Sequence, residues 1–222
     1  MQSIKTIYKI GPGPSSSHTF GPMMASKYIN EQYPEATNFK ITLFGSLALT
    51  GKGHLTDKII LKTLGTSKCE IIFDMKTPVE HPNTMIIEVF DKDTKIAKHT
   101  FVSIGGGKIE IDGKKGNVDP EIYPHTKMDD IQVYCNERHL RLDQYIDEVE
   151  DSDFDSYMNQ IFKQMLKTVN TGLKKTGVLP GSLKIDRVAH ALHQSAQSCS
   201  DIQDKNSLLL SSYAYAANEQ NA

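Results

Sequence analysis

The sequence predicts a mixed α/β (α+β) domain over residues 1–150, followed by an incomplete all-helical segment over residues 151–222. Three observations carry this prediction. β-rich runs bounded by turn residues crowd the stretch from 39 to 111. Two short helix patterns interrupt the polar loops ahead of residue 65. Beyond residue 150 the apolar residues recur at spacings of three and four.

Taken in order, Thr6 to Ile10 reads as a short strand running into a polar loop. Pro22 suits the first turn of a helix that continues through Met23, Ala25, Tyr28 and Ile29 and stops near Pro34. Phe39 to Phe44 alternates like a strand and ends at Gly45-Ser46, after which Leu47-Ala48-Leu49 leads to a second polar loop. Thr56 or Asp57 is placed to cap a helix over Lys58 to Leu64, with Gly65 as its stop. Cys69 to Asp74, Thr84 to Phe90 and Ile96 to Ile104 read as strands. Gly105-Gly106-Gly107 breaks the last, Lys108 to Ile111 resumes it, and Asp112 to Asn117 makes a turn.

Glu148 to Asp155 is acidic and suits an exposed linker or a helix start. Met158, Ile161, Phe162, Met165, Leu166, Val169 and Leu173 then line one helix face, with stops at Gly177 and at the corner Leu179-Pro180-Gly181. Two further helices are expected from about Asp186 to Gln194 and from Lys205 to Ala217. The last is apolar or small all round, as in helices enclosed by a larger body. The expectation is that the sequence stops inside a second domain; a small helical lid is the alternative.

Composition excludes several classes. With 25 basic and 27 acidic residues there is no general attraction to nucleic acid or an anionic membrane. The aliphatic runs are too short to span a bilayer and Met1 to Lys5 opens no signal segment, so a cytoplasmic protein is expected. Cys69, Cys135 and Cys199 are scattered, which argues against a disulfide framework or a local metal knuckle; each reads as a reduced structural or surface thiol.

The chemistry concentrates in two loops. Ser15, Ser16, Ser17, His18 and Thr19 put four hydroxyls and an imidazole into five residues, more than one helix cap uses. Capping and the binding of a carboxylate or phosphate are equally supported there. Lys52, His54, Thr56 and Asp57 form the second loop. Asp57 is placed to fix the His54 tautomer; Lys52 between two glycines resembles a phosphate-loop fragment, but the full pattern is missing. His81-Pro82-Asn83-Thr84 makes a third polar corner, where Asn83 either bonds a ligand or shapes its own turn. His190 and His193 share a helix face without a third metal ligand, so packing is favoured for them.

In combination, Gly13-Pro14-Ser15-Ser16-Ser17-His18-Thr19 with Gly21-Pro22, Phe44-Gly45-Ser46-Leu47-Ala48, Thr50-Gly51-Lys52-Gly53-His54 with Thr56-Asp57, His81-Pro82-Asn83-Thr84-Met85 and Ser103-Ile104-Gly105-Gly106-Gly107 resemble the beta domain of iron–sulfur L-serine dehydratase. Gly172-Leu173, Gly177, Leu179-Pro180-Gly181, Leu183 and Arg187 resemble the opening of that family's alpha domain, with Ser182 and Val188 departing from its pattern. Asn218-Glu219 and Asn221 resemble the start of its next polar segment.

The resemblance implies a beta domain like the allosteric substrate-binding domain of phosphoglycerate dehydrogenase. It implies conversion of L-serine to pyruvate and ammonia with a four-iron, four-sulfur cluster and no pyridoxal phosphate. It also implies cluster cysteines outside this chain, a missing alpha-domain segment as covalent or separate partner, and a homodimer in the complete form. On this resemblance His54 is the expected proton-transfer group and His18 its alternate or an orienting group, while Ser15, Ser16, Ser17, Thr19 and Asn83 are carboxylate-binding candidates. Lys52, Thr56 and Asp57 complete the expected substrate-binding set. A non-catalytic serine- or anion-binding regulatory module, the remnant of a split gene, and a purely structural domain stand as the other readings.

Overall fold

The computed structural model describes residues 1–13, 15–116, 119–180 and 184–221, with the backbone alone at Asn221. Pro14, Asn117, Gly181, Ser182 and Leu183, which figure in the motifs and turns above, lie outside the described residues. The chain divides into two compact units, Met1–Ile10 with Asn117–Leu166, and Gly11–Gly116 with Lys167–Ala222.

The larger unit is built on a six-stranded sheet. Its strands are β1 (Asn38–Phe44), β2 (Cys69–Asp74), β3 (Thr84–Asp91), β4 (Thr94–Gly105), β5 (Lys108–Ile111) and β6 (Lys114–Lys115), in the order β2-β1-β3-β4-β5-β6. Among the described residues only β1 and β2 run parallel; Phe39 pairs with Cys69 and Phe44 with Asp74. Every other neighbouring pair is antiparallel. Three helices accompany the sheet: α1 (Gly21–Gln32) precedes β1, and α2 (Gly45–Thr50) and α3 (Thr56–Leu64) lie between β1 and β2.

Strand alternation sends one set of side chains to a single covered face. Phe39, Ile41 and Leu43 of β1, Met85, Ile87 and Val89 of β3, and Phe101 of β4 meet Ala25 and Ile29 of α1, Leu47 and Ala48 of α2, and Ile60 and Leu64 of α3. Each fully buried aliphatic or aromatic side chain here is worth about 1.5–3 kcal/mol relative to exposure. The intervening residues Lys40, Thr42 and Glu88 lie on the opposite face. The predicted strands and helices of this region are present, with three differences, the first being that Lys114–Lys115, inside the expected turn, pairs with β5 as β6. Leu47 to Leu49 belong to a helix, α2, and β5 turns back antiparallel to β4 after Gly105–Gly107.

The same unit holds the last two helices, α7 (Ala189–Ser198) and α8 (Ile202–Asn221), both near their expected positions. They pack together, and Gly172 lies so close to the Ala216 backbone that a Cβ would overlap it. Glu219 of α8 caps α7, its Oε1 accepting from the amides of Val188 (2.6 Å) and Ala189 (3.1 Å). His190 Nδ1 meets the Leu173 carbonyl at 2.8 Å and His193 Nε2 meets Gln197 at 3.2 Å.

The smaller unit contains α4 (Met128–Arg138), α5 (Leu142–Val149) and most of α6 (Phe154–Gly172) around Tyr123, Ile131, Cys135 and Tyr145. The strand expected at Thr6 to Ile10 is not formed. Ile4–Thr6 is a 3-10 turn capped by Ser3, and Ile7 and Ile10 are exposed. The N-terminal segment is instead pinned within its own unit. Glu150 accepts from Ser3 Oγ (2.6 Å), Ile4 N (2.8 Å) and Tyr123 Oη (2.7 Å), and Tyr157 Oη donates to the carbonyls of Lys5 and Tyr8. Burial pushes the Glu150 carboxyl up, but its three donors outweigh this and hold it below the usual carboxylate range. Among the described residues no helix is long and apolar enough to cross a membrane.

Candidate active site

The two histidine-bearing loops come together beside the C-terminal end of β1. Ser15 leaves the extended approach at φ −127°, and its Oγ accepts the His18 amide at 3.1 Å. This closes a π-helical turn over Ser16–Phe20 directly ahead of α1. The second loop follows α2 and runs through Gly51 to Leu55, where a left-handed backbone (φ 57°) reverses the chain into α3. Thr56 is the first residue of α3 rather than its cap.

Two threonines cross-link the loops. Thr19 Oγ1 donates to the His54 carbonyl at 3.1 Å, and Thr56 Oγ1 donates to the His18 carbonyl at 2.6 Å. Both side chains are buried, so each bond replaces water that cannot reach it. Each loop thus holds the backbone of the other's histidine. The imidazoles lie with ring centroids 4.6 Å apart, tilted by 30°.

The histidines differ in their partners. His54 Nδ1 lies 3.1 Å from the Thr50 carbonyl. A carbonyl only accepts, so Nδ1 carries the proton and the neutral ring keeps a lone pair on Nε2. The expected tautomer-fixing group, Asp57, is engaged elsewhere: its Oδ1 accepts from Lys58 N at 2.8 Å in the first turn of α3. His18 has hydroxyls at both nitrogens, Ser46 Oγ at 2.9 Å from Nε2 and Ser15 Oγ at 3.3 Å from Nδ1. Burial, then the neighbouring His54, push the His18 imidazole below its ordinary range against the pull of Ser46. His18 is therefore neutral near pH 7.

The third polar corner closes on the same place. Pro82 O accepts from Ser46 N at 2.7 Å. This approach requires Gly45, which has φ +50° and where a Cβ would stand 2.6 Å from Pro82 O. Asn83 and Ser103 are tied reciprocally: Ser103 N donates to Asn83 O at 3.0 Å, and Asn83 Nδ2 donates to Ser103 O at 3.4 Å. On the α1 side, Gly21 sits so close to Ser103 that a Cβ would overlap its Oγ.

Of the expected site residues, Ser15, His18, Thr19, His54 and Thr56 are joined by these bonds, and Asn83 joins them through the Pro82–Ser46 link. Ser16 is exposed and Ser17 half-buried, and neither hydroxyl takes part in the bracing. Lys52 Nζ lies over the Phe73 ring of β2, 5.1 Å from its centroid, a cation–π contact. Sequence reading gave no role to Ser46, Thr50 or Ser103. Ser46 and Ser103 sit within the motifs Phe44–Ala48 and Ser103–Gly107, but their partners are distant in sequence.

The cysteines do not fit an iron–sulfur cluster. Cys69 is half-buried on β2 with its thiol pushed up to about 11, chiefly by burial. Cys135 is buried in the apolar cluster of the smaller unit. Cys199 follows α7 and donates to Asp201 O at 3.5 Å. Among the described residues no three His, Cys, Asp or Glu side chains gather as a metal-ligand set.

Residues 3–72 match the family described as serine dehydratase beta chain. The L-serine dehydratase of Haemophilus influenzae is 27% identical, the match covering 100% of this chain and 61% of that protein. L-serine dehydratase 2 of Escherichia coli is 30% identical with the same coverage. The L-serine dehydratase of Helicobacter pylori strain 26695 is 30% identical over 99% of this chain and 60% of its own length. The chain thus spans 60–61% of the length of these curated relatives. At family level the chain is similar to the L-serine dehydratases, and its residues 3–72 match the serine dehydratase beta-chain family.

Proposed function

We propose that this chain supplies the substrate-gripping and proton-transferring part of an L-serine dehydratase, which converts L-serine to pyruvate and ammonia. The observation that carries this reading is the braced histidine pair, with His54 Nδ1 committed to the Thr50 carbonyl and Nε2 left as a base. The hydroxyls of Ser16 and Ser17 are available to the substrate carboxylate. His54 Nε2 takes the α-proton, the electron pair forms the Cα–Cβ double bond, and the β-hydroxyl departs with the Cβ–O pair and is protonated to water, leaving 2-aminoacrylate. That enamine tautomerises to an imine, which water hydrolyses to pyruvate and ammonia. His18, held between Ser15 and Ser46, orients the His54 ring. The four-iron, four-sulfur cluster implied by the family belongs, on this reading, to sequence outside this chain.

The test combines binding and complementation. Titration calorimetry with L-serine on this chain measures the grip. Anaerobic reconstitution with the remaining segment of the E. coli relative, loaded with its cluster, measures turnover. His54→Ala is expected to lower turnover by about 100-fold or more while changing the serine Kd less than about threefold. Turnover equal to that of the unaltered chain removes His54 from the catalytic set.

A further inference from the structure

Two polar atoms beside the histidine pair are buried and have no partner: Asn83 Oδ1 and Ser103 Oγ. Ser103 is only 2% exposed. Such atoms are rare in folded proteins because each forfeits its hydrogen bond to water, so each calls for an explanation. Asn83 and Ser103 stand opposite one another at the open end of the β3–β4 hairpin, one step beyond the Thr84–Val102 pair. Their backbone and amide bonds decide which atoms remain. The Ser103 carbonyl can only accept, so the Asn83 group 3.4 Å from it is the NH2, and the carboxamide oxygen is the free end. That end accepts hydrogen bonds and cannot donate. A carboxylate, which has no protons to give, is the wrong partner for it.

We propose that Asn83 Oδ1 and Ser103 Oγ form an acceptor corner that takes the α-ammonium group of the substrate, so that the site selects an amino acid over the matching hydroxy acid. The inference rests on the serine-binding reading above and gives Asn83 a different task from the carboxylate grip expected of it. The placement fits. Pro82, next to Asn83, is bonded to Ser46, whose hydroxyl meets His18, and Ser103 lies against Gly21 at the end of the serine-rich turn. An ammonium held here is attached to the same carbon whose proton His54 removes. The carboxylate is left to Ser16 and Ser17, and three of that carbon's four substituents (ammonium, carboxylate and proton) then meet three different parts of the loop cluster.

Calorimetric titration of the full chain with L-serine and with glycerate, which carries a hydroxyl in place of the ammonium, tests this. The unaltered chain is expected to bind L-serine at least about tenfold tighter than glycerate. Asn83→Leu is expected to weaken serine binding about tenfold and leave glycerate binding unchanged. Ser103→Ala should act in the same sense but less, and Asn83→Asp, which keeps the acceptor and adds charge, should widen the preference for serine. Unfolding midpoints of each variant report whether the fold is kept. If Asn83→Leu does not fold, Ser103→Ala and Asn83→Asp decide the matter. A uniform loss of affinity for both ligands marks a merely structural role and overturns the proposal. So does a chain that binds serine with discrimination unchanged in all three variants. A chain that binds neither ligand refutes the serine-binding reading itself, and the ammonium corner with it.

Discussion

The sheet core and the helices α6 and α8 answer the same kind of apolar pattern in opposite ways. In the sheet, Ile41, Leu43, Ile87, Val89 and Phe101 are fully buried under α1, α2 and α3. In α6 the predicted apolar stripe contains Ile161, which is buried, but also Phe162, 58% exposed, and Met165 and Leu166, both 47% exposed. In α8, Leu210 is 70% exposed and Tyr215 50%. Periodicity reports that a face is apolar. It does not report whether a partner is present to cover it. The contrast locates the chain's self-sufficient part, the region that carries the candidate site.

Truncating one large side chain in each region tests the contrast most sharply. Phe101→Ala, which empties a fully enclosed position, is expected to lower unfolding free energy by about 3–5 kcal/mol. Leu210→Ala, at a position already in water, is expected to change it by less than about 0.5 kcal/mol. Urea unfolding of the two variants decides. Comparable losses mean that the exposed face of α8 is covered in solution and that the contrast is wrong.

The same contrast explains what was legible beforehand. β1, β3 and β4 were readable because alternation and burial coincide in them, and α3 because Gly65 stops it where the apolar spacing ends. α2 escaped because six residues, Gly45 to Thr50, are too few for helical periodicity and begin directly at the end of a strand without a side-chain cap. Thr6 to Ile10 misled because β-branched and aromatic residues favour a strand only where a sheet edge receives them, and Ser3 and Tyr157 hold that segment in another shape. For the site, the hydroxyl density around His18 and the Gly-His loop at His54 were plain in the sequence. Their cross-linking was not, since Thr19 bonds a carbonyl 35 residues away and Thr56 one 38 residues away. Ser46 and Ser103 acquire meaning only from what folds against them.

That cross-linking is the next place to press. Thr19→Val and Thr56→Val each remove one hydroxyl at almost constant volume and strand one buried carbonyl. Each is expected to cost about 1–3 kcal/mol by urea unfolding. The bonds share the same two loops, so the double variant should depart from the sum of the singles by more than about 0.5 kcal/mol. Strict additivity shows that each loop holds its shape without the other, and that the histidine pair is assembled by the sheet alone.

The smallest expected effect belongs to His18. Burial and the adjacent His54 depress its pKa in the fold, so the unfolded chain takes up its proton at a higher pH than the folded one. Its contribution to stability is therefore fully present above the ordinary imidazole range and is lost as pH falls through the depressed folded value. Urea midpoints measured across that window should decline toward acid, and His18→Gln, which retains hydrogen-bonding capacity but cannot charge, should flatten this part of the decline. An unchanged slope in the variant would mean that the imidazole charges as easily in the folded protein as in the unfolded chain. In that case the loop cluster around Ser15 and Ser46 admits enough water to solvate a cation, and His18 does not remain neutral beside His54.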